Sequence, residues 1–260
     1  MLCKEVMEKI ENRYSRSYAL EWDNVGLLVG RDDKEVKKIY LALDATDQVI
    51  DAAVAAGVDL LITHHPLIFS GMKKINNQDF IGRRLLKLIQ NDISYYAMHT
   101  NYDVMGMSAL VGDKIELEEA EVLEVTGESK EGLEGVGRVA NLSQKQTLRE
   151  CADLVKEAFG LESVKVFGNL EMPVQRIAIS PGSGKSMIGV ALEKQADVLV
   201  TGDIGHHEGI DAVAQGMAII DAGHYGIEHV FVEDMKTYLT AQCVEIEVLT
   251  EPISHPFVVI

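Results

Sequence analysis

Basic residues are scarce in this chain. Only 24 Lys and Arg stand against 41 Asp and Glu, leaving a formal charge of −17 over 260 residues. A polypeptide this negative repels a duplex instead of steering it in, so nucleic acid is excluded as a primary ligand, while divalent cations are attracted. Cysteine is also sparse: Cys3, Cys151 and Cys243 lie far apart and form no CxxC pair. That excludes a disulfide framework and a thiolate zinc site, and it fits a reducing, cytoplasmic setting. Nowhere do 18 apolar residues run together, so no membrane-spanning helix is expected. The opening MLCKEVMEKIENRY is too densely charged for a signal peptide. Low-complexity tracts are missing too.

Hydrophobic residues make up 47% of the chain, enough to build a sizeable core, and the length suits one large domain or two small ones. Short apolar runs alternate with helical patterns, the signature of an α/β protein. Strands are predicted at 38–43 (KIYLAL), 59–63 (DLLIT) and 93–98 (ISYYAM), with a helix at 48–56. The second half offers the same series: strands at 176–180 (RIAIS), 197–201 (DVLVT) and 217–221 (MAIID), and a helix at 187–195.

The two series register by arithmetic. Ile39 and Ile177, Asp59 and Asp197, and Thr63 and Thr201 are each 138 positions apart. His99 and His224 are 125 apart, as are Asp103 and Glu228, so a His-x-x-x-acid pattern recurs. An internal duplication explains this better than the shared alphabet of βαβ units. The Glu- and Gly-rich stretch 116–137 reads as exposed strand-and-turn material, and it sets the expected division into halves at 1–125 and 126–260.

Chemistry concentrates at strand ends, where open α/β sheets place their ligand sites. Thr63-His64-His65-Pro66 closes the second strand. Adjacent strand residues face opposite ways, so two neighbouring histidines can share one metal only if the strand stops there, which Pro66 allows. Alternatively, each imidazole serves a different ion of a dinuclear site, or one histidine is buried and hydrogen-bonded while the other is solvated. His99 and Asp103 follow the third strand; His224 and Glu228, spaced to share one face of a helix, follow MAIID. Imidazoles mixed with carboxylates suit Zn, Mn, Fe or Co better than Ca or Mg.

Other features carry less. His206 and His207 sit near the position corresponding to His64 and His65, yet at the 138 offset those two fall on Gly202 and Asp203. They either line the pocket or stand exposed at a helix start. His229 and His255 have no supporting neighbours and read as structural. The turn at 181–186 ends in GKS, but a phosphate loop needs glycine where Ile179 stands. What remains is a tight glycine turn or a backbone anion cradle before a helix. Trp22, the single tryptophan, reads as a core anchor, with Asp23 and Asn24 capping a turn or orienting a site residue.

Taken together, WDNVGLLVG at 22–30, ITHHPLIF at 62–69, HTNYD at 99–103, the SPGSGKS turn, TGD at 201–203 and GHYGIE at 223–228 resemble the NIF-three-like family, whose bacterial members are often called GTP cyclohydrolase 1 type 2 homologues. The resemblance spans almost the whole chain in the family's motif order. It implies two similar, intertwined three-layer α/β/α domains and two divalent metal ions per chain. The implied ligands are His64, His65, Asp103, His224 and Glu228, with His99 beside them. It further implies a homo-oligomer, a toroidal hexamer, acting on a small molecule such as a purine nucleotide.

The function implied is that of a dinuclear metal-dependent hydrolase of the GTP cyclohydrolase type, opening a ring through metal-activated water, with Glu228, Asp103 or His99 as proton acceptor. A metal-binding regulatory or adaptor protein is the alternative. A phosphate-loop nucleotide hydrolase ranks third because of Ile179.

Overall fold

The structure, a computed structural model, describes residues 1–130 and 132–260. The chain packs as two compact α/β units, Met1–Tyr102 with Phe231–Ile253, and Asp103–Val230 with Ser254–Ile260. Each unit is assembled from two stretches, so these bounds differ from the 1–125 and 126–260 halves. The reason lies in 116–137, which does not link the units: most of it enters the second unit's sheet.

In the first unit β1 (Gly26–Val29), β2 (Lys38–Ala42), β3 (Leu60–Thr63) and β4 (Ser94–Ala97) form a sheet in the order β1-β4-β3-β2, with a Glu247–Thr250 strand outside β2. The three central strands run parallel and β1 is antiparallel to β4. Their near-continuous apolar sequences suit strands covered on both faces. Leu60, Leu61, Ile62, Tyr95, Tyr96 and Ala97 are fully buried. The β2–β3 crossover helix, Asp47–Ala56, is bounded by its own chemistry. Thr46 accepts from the Val49 N–H at its start, and Gly57, left-handed at φ +61°, closes its end.

The second unit holds β5 (Glu121–Ser129), β6 (Gly132–Thr147), β7 (Lys165–Phe167), β8 (Pro173–Ser183), β9 (Val198–Gly202) and β10 (Ala218–Asp221), ordered β5-β6-β8-β9-β10-β7. Here too three consecutive strands, β8, β9 and β10, are parallel, and the strand before them, β7, returns antiparallel on the far edge of β10. The chain order and directions of β7 to β10 repeat those of β1 to β4. The duplication therefore reaches strand topology.

It also reaches register. Ile39 faces Leu60 across β2 and β3; Ile177 faces Val198 across β8 and β9, both partners shifted by the same 138 positions. One carboxylate sets this in each unit. Asp59 Oδ2 accepts the N–H groups of Lys37 (2.8 Å) and Lys38 (3.0 Å). Asp197 Oδ2 accepts those of Gln175 (2.7 Å) and Arg176 (2.8 Å). The cation at the start of the neighbouring strand repeats its contact as well: Lys38 Nζ donates to the Ala56 carbonyl, and Arg176 Nε donates to that of Lys194.

The third strand of each series departs from this offset. Ser94 and Ala218 occupy equivalent rungs opposite Leu60 and Val198, 124 positions apart, one fewer than the His99–His224 spacing. The second unit therefore carries one added residue between β10 and its histidine, in a turn where Gly223 takes φ +77°. Among the described residues no helix is long and apolar enough to cross a membrane.

Hydrogen bonds to a charged acceptor are worth about 1.5–3 kcal/mol each. Asp59→Ala and Asp197→Ala are therefore expected to lower stability by similar amounts, about 2 kcal/mol or more, read as matching falls in the urea midpoint. An unchanged midpoint for either variant would show that its carboxylate does not hold the strand start.

Candidate metal centre

The first unit gathers His64, His65 and His99 so that one ring nitrogen from each lies within 4.8 Å of the others. β3 stops at Thr63, and the loop beyond it is held by bonds that free both histidines from strand alternation. Tyr95, on the neighbouring strand, donates its hydroxyl to the His65 carbonyl (3.0 Å) and accepts from the Leu67 N–H (2.8 Å). Thr63 Oγ1 also donates to that carbonyl (2.7 Å). Burial pushes the Tyr95 phenol far above its ordinary pKa, so it stays a neutral donor.

Each imidazole is oriented through Nδ1. His64, fully buried, places Nδ1 2.8 Å from the Met98 carbonyl. His65 Nδ1 lies 2.9 Å from Asp44 Oδ1, and His99 Nδ1 lies 2.9 Å from Asp23 Oδ1. Carbonyls and carboxylates only accept, so each Nδ1 carries the proton and Nε2 carries the lone pair. Three rings with that tautomer fixed are a donor set fitted to a transition metal or zinc.

Asp23 is the hub of this arrangement. Its buried carboxylate also accepts from the Asn24 N–H (2.8 Å), the Thr100 N–H (3.0 Å) and Thr100 Oγ1 (2.5 Å). Burial alone would raise its pKa, but the hydrogen bonds from the His99 ring and from the Thr100 hydroxyl and N–H outweigh it and hold the carboxyl down at about 2. Asp23 thus both caps a turn and orients a site residue. Trp22 departs from its expected role as a core anchor: turning Asp23 inward sends the indole outward, and it is 62% exposed, edge-on to His99.

The second unit gathers Asp103, His224 and Glu228. His224 and Glu228 open the short helix His224–Glu228, and their i,i+4 spacing brings His224 Nε2 within 2.9 Å of Glu228 Oε2. Asp103 begins a π-helical turn, Asp103–Met107, and offers a carboxylate oxygen within 4.8 Å of one from Glu228. His224 Nδ1 is held 2.7 Å from Asp203 Oδ2, the same orientation device seen in the first unit. Glu228 is 3% exposed. The backbone of Gly182, at φ +71°, passes so close to it that a Cβ there would sit 2.6 Å from Glu228 Oε1. Glycine is required at this position by close approach.

Several remaining features of the sequence are structural. Ser180 to Ser183 continue β8, and the helix after the GKS turn, Met187–Glu193, has only seven residues. Lys185 is ion-paired with Glu208, and Ile179 is a buried rung of β8. His206 and His207 stand exposed at the start of the His206–Ala214 helix. His229 Nδ1 bonds the Tyr225 and Gly226 carbonyls, and burial lowers its pKa. Asp44 was not legible as an orienting group; its one signal is its place just past the end of β2. Asp203 was visible as the residue aligned with His65 and as the end of the TGD motif, with no sign in either of an orienting role.

Comparison with known proteins gives a consistent picture. Residues 1–256 match the family model described as Duf34/NIF3 (NGG1p interacting factor 3). The chain is 35% identical over 246 residues to a GTP cyclohydrolase 1 type 2 homolog of Streptococcus pneumoniae, covering 92% of this chain and 91% of the relative. A Clostridium perfringens protein of the same description is 35% identical over 209 residues, covering 80% and 79%. Among solved structures, reduced HcgD from Methanocaldococcus jannaschii superposes with a TM-score of 0.84 at 32% identity, covering 97% of this chain and 98% of that one. A Bacillus cereus protein related to NIF3 gives a TM-score of 0.90 at 23% identity, covering 100% and 99%, a likeness of fold.

One carboxyl behind the first cluster responds to pH. Glu251 accepts from the Leu43 N–H at 2.6 Å, next to Asp44. Burial raises its pKa to about 7; the Leu43 bond opposes this and the Asp44 charge adds to it. A carboxyl whose folded pKa is raised binds its proton more tightly when folded, so its contribution to stability is lost as pH rises through about 7. Glu251→Gln keeps the acceptor without the charge. The variant is expected to be more stable than wild type by about 1 kcal/mol at pH 8, after discounting for partial exposure, with the gain shrinking towards pH 5 in paired thermal melts. Equal gains at both pH values would refute this assignment.

Proposed function

Because the chain belongs to the Duf34/NIF3 family, we propose that it is a metal-dependent hydrolase in which His64, His65, Asp103, His224 and Glu228 hold two divalent ions. The observation that carries this reading is the pair of adjacent imidazoles, His64 and His65, whose Nδ1 protons are committed to the Met98 carbonyl and to Asp44, leaving the lone pair on Nε2. Divalent ions held there would supply Lewis acidity, polarising a substrate carbonyl, imine or phosphoryl oxygen and acidifying water.

The chain's own residues do the rest. Asp44 and Asp203 lock ring orientation through charge-assisted hydrogen bonds. Asp23, kept ionised, holds His99 with Nε2 as the proton acceptor and supports positive charge on the ring once it takes a proton. Glu228, buried against Gly182, is the second candidate for moving a proton. The names of the relatives favour ring opening of a purine nucleotide such as GTP as the reaction to test first. The family description, which names an interacting factor, favours a second reading as a metal-binding adaptor without robust turnover.

Purified protein is expected to hold about two ions per chain by elemental analysis, and His64→Ala combined with Glu228→Ala should lose them. Full metal content in the double variant would sink the ligand assignment. Metal-loaded protein incubated with GTP and a panel of phosphoesters, followed by mass spectrometry, separates the readings: new products support the hydrolase, and no turnover at full metal content supports the adaptor. The proposed cytoplasmic hexamer is expected to sediment at about six chain masses; a monomer would contradict it.

A further inference from the structure

Two large aromatic side chains in the first unit are exposed where tryptophan and phenylalanine are ordinarily covered. Trp22 is 62% exposed and Phe69 is 55% exposed. Both rest against the same imidazole. The Trp22 ring centroid lies 5.8 Å from that of His99 at an interplanar angle of 75°, and the Phe69 centroid lies 5.7 Å from it at 87°. His99 in turn stands edge-on to His64 at 5.2 Å and to His65 at 5.5 Å. The exposed aromatic surface is therefore one ring removed from the proposed metal ligands.

Neither aromatic sits on slack chain. The carboxylate of Asp23, the residue after Trp22, accepts four hydrogen bonds, three of them from His99 and Thr100. Asn24 Nδ2 donates to the Ile68 carbonyl at 2.6 Å, tying the segment that carries Trp22 to the residue before Phe69. Leu67, one residue earlier, is fixed to the Tyr95 hydroxyl. Buried and part-buried polar bonds thus fasten both loops close to the point where each releases an aromatic ring towards solvent. Ordering a ring in water gains nothing by itself. Ordering it beside a reactive site lowers the cost of binding a flat partner.

We propose that Trp22 and Phe69 form a stacking platform that recognises a planar heteroaromatic ring in the substrate. The proposal rests on the hydrolase reading only for the location of the reaction; the platform itself is a matter of ring binding. Charge supports the choice of occupant. A chain at −17 opposes an anionic ligand, so the ring must supply attraction that does not depend on charge, and an aromatic face does so for any π-rich ring. Trp22 and Phe69 are positioning residues on this account, setting specificity for ring-bearing over ring-free substrates.

The test uses the chain's single tryptophan as its own reporter. Guanosine titrated into wild-type protein should quench Trp22 fluorescence saturably, with metal present and with metal removed, whereas ribose 5-phosphate should leave it unchanged. Phe69→Ala should weaken guanosine binding about tenfold by the same signal. Calorimetry should find about tenfold weakening for Trp22→Ala and much less for Trp22→Phe, which retains a ring. Absence of quenching, or guanosine affinity unchanged in Trp22→Ala and Phe69→Ala, would overturn the platform. So would a drop in assembly size with guanosine affinity intact, which would make this face a contact between copies. Because ring binding is read without turnover, loss of hydrolysis or metal with quenching preserved would count against the hydrolase reading alone.

Discussion

A carboxylate at the start of the second strand of each series sets the terms for everything downstream. Asp59 and Asp197 each take two consecutive backbone N–H groups from the neighbouring strand, fixing which rung faces which. In a sheet buried on both faces a slip of one residue would send every side chain to the opposite face. It would also move the point at which β3 ends, and with it the two histidines that follow. The location of the candidate metal centre is therefore determined some 17 Å of strand away from its ligands, by a bond that has no chemical role in the site.

Beyond the strand ends, the governing constraint is that an imidazole has two nitrogens and a metal takes one. The protein answers it the same way four times, committing Nδ1 to an oxygen acceptor, yet the acceptors come from unrelated places: a backbone carbonyl for His64, an acid two residues past β2 for His65, the segment before β1 for His99, and Asp203 for His224. At the 138 offset Asp203 is the counterpart of His65. The same position after the same strand thus presents an imidazole in one unit and the carboxylate that orients an imidazole in the other.

That asymmetry explains how much the sequence could reveal. The buried parallel strands of both series, their 138-position offset and the placing of histidines at strand ends follow from local periodicity and a repeated spacing, and these were legible; sheet order, register and the antiparallel strands were not. His64, His65 and His99 stand out in the sequence because each follows a predicted buried strand, and the structure brings one ring nitrogen of each within 4.8 Å of the others. The orienting acids were not legible. Which acid turns towards a ring depends on the path of a loop in three dimensions, and a sequence this rich in Asp and Glu offers too many candidates. Trp22 misled for a related reason: hydrophobicity alone assigns it to the core, whereas the bonds made by Asp23 and Asn24 decide which way the loop faces. The unit bounds were hidden because residues far apart in sequence, 1–102 and 231–253, share one compact unit.

That last arrangement inverts the usual order of events on the ribosome. Domains ordinarily complete themselves in the order in which they emerge. Here the sheet that begins first, with β1, receives its outer strand, Glu247–Thr250, only after all six strands of the second sheet have been synthesised. Until Glu247–Thr250 has been synthesised, the outer edge of β2 lacks the strand that pairs with it in the finished protein. The nascent chain thus has an interval of exposed edge, governed by translation speed, through which the finished protein never passes again.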